Sequence, residues 1–566
     1  MIMKNKVYQL FVGKNSKENL TPDLSEAKNS YDGLSYRIPS LICPVGKDGK
    51  QRVLAMCDIS ECGMDHGRIQ TVLRISDDNA ESFDEMKTVL SPPVKKAPQC
   101  KEDYASSFAI DPIMCQADSG DILMVVDVFP ESKAIMQKQW LETGSGYIEA
   151  EGKRYLALYP EKFKAEGGAV KDKRNGYTVR EHGWIYTPEG EKTKYYLPAK
   201  HSEEYAYETM GDMYYAVDGG EFIDTCPPMF PTKETCRDIY VGNVFLNSAR
   251  PVFSLTKPER VEKRTASPDK TGDGYSAYPC VETKPAPLSM MPTLHLFMMK
   301  SSDMGDTWSQ PVDITPQVKR DDEIFIGTGP GVAIKLQYQK DKKKNGRILV
   351  PVYNLKDTFA LYTDDEGVTW HRSECSKNID ETQFIESEDG TIFCFGRQVM
   401  LDKTPLSISR DGGETWEKAE STGLSAVRCQ KSFLLLPPHS EEFPYAEGMD
   451  KSKRYIVASC PSGNYQKKSV RYGGILTLGE INGDEIRWLR QKRVITEGIS
   501  GKENNFYAYS SLDILKNGEI VLLYEALPSS FIAVQKFTLE EIAGGEKAFG
   551  FPLPLITRIR RRFRKW

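Results

Sequence analysis

Short apolar runs broken by turn-forming clusters fill the chain up to about residue 130 and again from about residue 290. Runs such as Leu294-His295-Leu296-Phe297-Met298-Met299 and Phe359-Ala360-Leu361-Tyr362 end at clusters of Asp and Gly. This is the pattern of strands joined by tight turns. Near the C-terminus, Thr538-Leu539-Glu540-Glu541 has capping-box spacing and opens a short helix. Between about Glu131 and Met291 the rhythm changes, and Tyr, Lys, Glu and Gly become prominent. There, Tyr177–Glu181 and Trp184–Gly190 read as a hairpin, and Thr265 to Pro287 reads as loop. The chain as a whole is predicted to be all-β.

One turn recurs. Ser301-Ser302-Asp303-Met304-Gly305-Asp306-Thr307-Trp308 reads S-x-D-x-G-x-T-W. The stretches Thr363 to Trp370 and Ser409 to Trp416 repeat that frame, and Ser76 to Phe83 is a worn copy. Three of the seven tryptophans fall in these copies, so the pattern is a repeat rather than a common turn. Asp can bond backbone N–H groups further along, and Gly supplies a positive φ. The Thr-Trp pair is expected to start the next strand and anchor it. The copies start at intervals of 225, 62 and 46 residues. The long first interval marks residues 131–290 as an insertion into a repetitive fold.

Composition narrows the class. The chain has 566 residues, 39% hydrophobic and 27% charged, with mean hydropathy −0.48. That is globular, and too long for a single ordinary core. No apolar run is long enough to span a membrane. A net charge of −5 argues against nucleic acid as the main partner. Twelve cysteines without a C-x-x-C pair, and six histidines without H-E-x-x-H spacing, fit reduced thiols and no metal centre. No signal peptide is read at the N-terminus, so a cytoplasmic protein is expected, or a secreted one if a leader was trimmed. The tail Arg558 to Trp566 is strongly basic and reads either as a solvated tail or as a contact for an anionic surface.

The repeated turn is the Asp box, and with it the chain resembles the bacterial exo-α-sialidase (neuraminidase) family. The resemblance implies a six-bladed β-propeller, with Asp boxes between the outer strands of its blades. It places the catalytic propeller at residues 1–130 and 291–566. An inserted, mostly β domain at 131–290 is similar to that of streptococcal-type sialidases. The implied substrates are sialylated glycans, and no cofactor is implied.

The family binds the carboxylate of its sugar with three arginines, whose planar forks bond a carboxylate bidentately. Tyr36-Arg37-Ile38-Pro39 matches the first motif. Alone, Arg37 would read as a surface arginine, held on an extended segment because Pro39 pushes Ile38 into the extended region. Arg397, after Phe393-Cys394-Phe395-Gly396, and Arg471, before Gly473-Gly474, match the other two. Lys467 and Lys468 are nearby competitors that lack the fork. The implied nucleophile is a tyrosine, an exception to the usual two-carboxylate scheme. Tyr509 matches it, with Glu381 as the glutamate that takes its proton. Tyr507 is the rival, expected on the same strand face by alternation. For the acid/base, Asp58 and Asp65 both qualify, and Asp65-His66-Gly67 resembles the family sequence more closely. Glu525 matches a glutamate that holds the first arginine, and Asp111 an aspartate that contacts the sugar O4.

The chain departs from the family in one place. Relatives carry an Arg-Arg pair soon after the position of Asp58, whereas Asp58 to Met64 contains no arginine. Arg68 is a substitute candidate. The resemblance implies a retaining exo-α-sialidase. Two alternatives stand beside it. One is an intramolecular trans-sialidase releasing an anhydro sugar, for which Phe531 is a candidate water-excluding aromatic. The other is a sialic-acid-binding propeller without turnover.

Overall fold

The structure, a computed structural model, describes residues 8–11, 35–60, 65, 69–93, 107–130, 141–163, 170, 172–197, 210–216, 239–246, 285–355, 357–374, 376–377, 379–398, 404–424, 427–462, 471, 473–494, 506–527 and 531–548. Arg68, Lys467, Lys468, most of the Thr265–Pro287 stretch and the basic tail lie outside the described residues, as does the side chain of Phe531.

Six sheets, antiparallel except where Gly331–Val332 pairs parallel with Phe108–Gln116, form a six-bladed β-propeller. Blade one holds Ser35–Ile42, Val53–Ser60, Ile69–Ser76 and Lys87–Leu90. Blade two is built from Phe108–Gln116, Ile122–Phe129, His295–Ser301 and Val312–Asp313. Blades three, four and five start at Gly327, Ile379 and Ser432. Blade six runs from Ala508 to Phe537, and its outermost strand is the N-terminal Tyr8–Phe11, which pairs with Phe531–Phe537. The N-terminal strand therefore completes a blade otherwise built from the C-terminal part of the chain, which closes the ring. Closure leaves fewer strand edges free to pair with other chains.

Apolar faces of neighbouring blades pack together. Leu41 and Ala55 of blade one meet Val521, Leu523 and Val534 of blade six, all essentially inaccessible. Full burial of each leucine or valine among them contributes roughly 1.5–3 kcal/mol. Between the second and third strands of blade two, the chain from Tyr147 to Met290 builds a separate eight-stranded sheet. The predicted hairpin is there: Tyr177–Val179 pairs antiparallel with Trp184–Tyr186.

The Asp boxes link the third and fourth strands of blades one to four. All follow one bonding plan. In the copy at Thr363, Thr363 Oγ1 accepts Gly367 N at 2.7 Å, and Asp365 Oδ1 accepts Thr369 N at 2.8 Å. The fifth position lies in the left-handed region, with φ 96° at Gly305, 91° at Gly367 and 83° at Gly413. The worn copy has Ala80 there, at φ 60°. The tryptophans anchor the turns, with Trp370 3% exposed and Trp416 stacked on Phe384. Only Trp370 directly precedes its strand; after Trp308 and Trp416 the next strands begin at Val312 and Glu420. Near the C-terminus, helix Leu539–Ala543 carries the expected capping box between Thr538 and Glu541.

Candidate active site

The innermost strands of blades one, two, four and six, and the second strand of blade six, come to one end of the central channel, and each is irregular there. Register shifts occur between Arg37 and Ser40, Ile110 and Ile113, Asp380 and Thr382, Ala508 and Ser510, and Glu525 and Leu527. Bulges re-aim side chains at the rims of closed sheets. Ile38, Asp111 and Glu381 adopt positive φ at these bulges, at 59°, 62° and 22°. Such backbone costs about 1–3 kcal/mol per residue and persists where surrounding contacts hold it. At Ile38 the contact is visible: its amide donates to Glu525 Oε1 at 3.0 Å. This corrects the expectation that Pro39 would keep Ile38 extended. A buried carboxylate acceptor outweighs the steric preference.

The cleft above these bulges has a volume of about 660 Å³. Arg37, Asp65, Asp111, Glu381, Arg397, Arg471 and Tyr509 all line it. Glu525, 1% exposed, sits behind Arg37 with Oε1 at 3.6 Å from Arg37 Nε. Burial pushes the Glu525 carboxyl up, and Arg37 pulls it back. Burial also works against the Arg37 charge, but Asp65 and Glu525 outweigh it.

Tyr509 OH donates to Glu381 Oε1 at 2.6 Å. Arg397 Nη1 donates to the same Oε1 at 2.8 Å and to Tyr509 OH at 3.2 Å. Arg471 lies over the Tyr509 ring, 5.1 Å from its centroid. Burial, and then the charge of Glu381, push the phenol above its ordinary pKa, while Arg397 and Arg471 act in the opposite sense. The resting group is therefore a phenol, hydrogen-bonded to a base and flanked by two cations.

Tyr507 is placed elsewhere. It precedes the strand Ala508–Ile514, its ring stacks on Tyr524, and its hydroxyl is bonded to Ser459 Oγ. The bulge at Ala508/Ser510 removes the alternation that would have put both tyrosines on one face.

The two aspartate candidates also separate. Asp58, 2% exposed, accepts Asp111 N at 3.0 Å. Asp65 pairs with Arg37 Nη1, and its side chain is 36% exposed to the cleft.

Sequence reasoning missed further lining groups: Asp127, Phe325, Tyr353, Asp380 and Arg428. Asp380 carried a signal, since it adjoins Glu381. Burial and then the charge of Glu381 raise its pKa to about 7. Asp127 carried a stronger one, as the lone acid in the apolar strand Ile122–Phe129. Arg428 is exposed in an irregular loop, where no sequence pattern points to it.

Residues 281–440 match the BNR repeat-like domain family. The chain is 23% identical over 462 residues to the anhydrosialidase of Macrobdella decora, covering 78% of this chain and 51% of that protein. It is 25% identical over 520 residues to sialidase B of Streptococcus pneumoniae, covering 87% and 62%. The chain thus spans about half to three-fifths of the length of these two relatives. Among solved structures, the intramolecular trans-sialidase from Ruminococcus gnavus superposes with TM-score 0.63 at 22% identity, covering 90% of this chain and 95% of that one. The NanB sialidase from Streptococcus pneumoniae gives 0.63 at 20%, covering 96% and 72%. These two likenesses are of fold.

Proposed function

The chain belongs to the bacterial sialidase family, and from that premise we propose that it is an exo-α-sialidase removing terminal sialic acid from glycans by a retaining route with Tyr509 as nucleophile. The observation that carries this is the single oxygen Glu381 Oε1, shared by the Tyr509 hydroxyl and Arg397. A base within 2.6 Å of a phenol is the geometry that proton removal during attack requires.

Each group takes a role in the proposal. Arg37, Arg397 and Arg471 seat the substrate carboxylate. Asp65 protonates the departing glycosidic oxygen. Tyr509 attacks the anomeric carbon as its proton passes to Glu381, and a covalent tyrosyl sugar forms. Water then attacks that carbon, Asp65 takes its proton, Tyr509 regains one from Glu381, and free sialic acid leaves. A neutral phenol suits this attack because a carboxylate nucleophile would be repelled by the substrate's own carboxylate. The substrate carboxylate also competes with Asp65 for Arg37. The eight-stranded sheet of Tyr147 to Met290 is read as an inserted domain in the propeller.

A second reading is supported by two of the relatives. One is named an anhydrosialidase and another an intramolecular trans-sialidase. In that reaction a hydroxyl of the bound sugar, not water, resolves the tyrosyl intermediate and an anhydro sugar leaves. Incubating the protein with sialyllactose and weighing the products by mass spectrometry separates the readings. Free sialic acid supports hydrolysis, and a product lighter by one water supports the intramolecular route. Binding without any product overturns both.

A further inference from the structure

Tyr509 sits where its own sheet does not hold it. In blade six Ala508 faces Glu525 and Ser510 faces Tyr524, so Tyr509 is the extra residue of the bulge, without a cross-strand partner. The neighbouring blade supplies the hold, through the next residue. Gln430, 1% exposed, lies just before the strand Ser432–Leu435 of blade five. Its Oε1 accepts Ser510 N at 2.9 Å. Its Nε2 donates to Ser510 O at 3.0 Å and to Pro330 O at 2.9 Å. From the second strand of blade five, Ser459 Oγ donates to Ser510 Oγ at 2.9 Å. The backbone N–H, the carbonyl and the hydroxyl of Ser510 are thus all bonded to blade five.

The partners fix which way the Gln430 amide points. Pro330 O and Ser510 O only accept and Ser510 N only donates, so Nε2 faces the two carbonyls and uses both of its protons. The backbone beside Pro330 makes room for it: Gly331 has φ 130°, and a Cβ there would lie 3.1 Å from Gln430 Nε2. An apolar side chain at position 430 would remove the partner of three buried backbone groups. Tyr509 has two other anchors, the bonds of its hydroxyl to Glu381 and Arg397. Both change as the proposed reaction proceeds, because the phenol gives its proton to Glu381 and Arg397 takes up the substrate carboxylate. The bonds on Ser510 involve no reacting group and persist throughout.

We propose that Gln430, with Ser459, is a positioning residue: by fixing the backbone of Ser510 it aims Tyr509 at the anomeric carbon. This rests on the reading of Tyr509 as the nucleophile, and it applies to either fate of the tyrosyl intermediate, since both begin with the same attack. Gln430 acts through Ser510 and not on the substrate. An amide that only stabilised the fold would alter Tm, whereas a positioning amide alters the rate of attack with binding unchanged. A misplacement of about 1 Å can cost about 10²-fold in rate.

The test uses the full chain, well below the Tm of each variant. Single-turnover release of the phenol from an aryl sialoside, with enzyme in excess, reads the attack by Tyr509. Gln430→Met, of similar length but without the amide, is expected to slow it at least about tenfold. The Kd of a 2,3-unsaturated sialic acid analogue should stay within about threefold of wild type. Ser432→Ala is the control, because Ser432 Oγ accepts Leu512 N at 2.9 Å across the same pair of strands, beyond Ser510. It should lower Tm yet leave the rate within about twofold, as the bulge keeps its hold. A smaller loss in Gln430→Met overturns the proposal, as does an equal loss in Ser432→Ala. A parallel loss of rate and analogue affinity also overturns it, since the whole cleft would then have moved. If Gln430→Met does not fold, Ser459→Ala decides: slowing of at least about threefold with unchanged Kd supports the hold on Ser510, and less overturns it. If the wild-type chain releases phenol and Gln430→Met matches it, this proposal alone falls. If the wild-type chain releases none, the nucleophile reading falls as well.

Discussion

Glu525 Oε1 accepts the Ile38 amide at 3.0 Å and lies 3.6 Å from Arg37 Nε, so one buried oxygen holds both a bulged backbone and the guanidinium beside it. Glu525→Gln keeps an acceptor for Ile38 but removes the charge that orients Arg37. A charge-assisted bond is worth roughly 1.5–3 kcal/mol, so kcat/KM on sialyllactose should fall about 10- to 100-fold with little change in Tm. Glu525→Leu orphans the Ile38 amide as well, and a further loss of about 1–3 kcal/mol in unfolding free energy is expected. Denaturant melts of the two variants separate the charge from the acceptor. Equal stability would show that the acceptor does not hold the bulge.

Asp65 is expected to matter in proportion to how poorly the leaving group departs. General acid catalysis contributes about 10²–10⁴-fold. Asp65→Asn should lose that much kcat on sialyllactose, yet stay within about tenfold of wild type on an aryl sialoside whose phenolate departs unaided. Equal losses on both substrates would remove Asp65 from the acid role and leave it as a partner of Arg37.

Tyr509→Phe keeps the ring beneath Arg471 and removes the nucleophilic oxygen. Turnover of sialyllactose should fall by at least about 10³-fold, on the scale of losing a positioned reactive group. Rapid quenching followed by intact-mass analysis should find a sugar adduct on the wild-type chain and none on the variant. Near-normal turnover by the variant would move the chemistry to another group.

Turn chemistry was legible from the sequence because it is local: Ser, Asp, Gly and Thr sit within eight residues and bond one another. The family motifs around Arg37, Glu381 and Tyr509 were legible for the same reason. The bulges were not. A single inserted residue shifts the pairing and reverses every later side chain, and nothing within Tyr507-Ala508-Tyr509 announces that. Alternation alone therefore puts Tyr507 and Tyr509 on one face, although one is bonded to Ser459 and the other to Glu381. The bent backbone at Ile38 depends on Glu525, far away in sequence, and a local rule about proline could not include it. Asp127 was visible as an acid in an apolar strand, but its place in the cleft needed the ring to close.

Ala80 occupies the fifth position of the worn Asp box at φ 60°, where the three full copies have glycine. A side chain in the left-handed region costs roughly 1–2 kcal/mol. Ala80→Gly removes that strain but also gives the unfolded chain more freedom, which offsets part of the gain. The expected net effect is a stabilisation of about 0.5–1 kcal/mol, read as a higher urea midpoint with an unchanged slope. A lower midpoint would mean that the buried Ala80 methyl contributes more through packing than its backbone costs.

Lys319 is 1% exposed and bonded to one hydroxyl and two carbonyls, with no carboxylate as a hydrogen-bond or ion-pair partner among the described residues. Burial lowers its pKa to about 7. In the unfolded chain it returns to about 10.4. Between these values the unfolded chain binds more protons than the folded one, so stability rises with pH. Below about pH 7 both states are protonated, and the full cost of the buried charge is present. Lys319→Met fills the same volume without a titrating group, though it leaves Thr293 Oγ1 and the carbonyls with fewer donors. The variant's Tm should therefore lack the upward trend that Lys319 gives the wild type between about pH 7 and 10. The absolute offset between the proteins mixes lost hydrogen bonds with relieved charge, so the slope difference is the quantity to measure. Parallel Tm-against-pH curves would show that Lys319 stays charged in the folded protein, held by its three oxygens despite its burial.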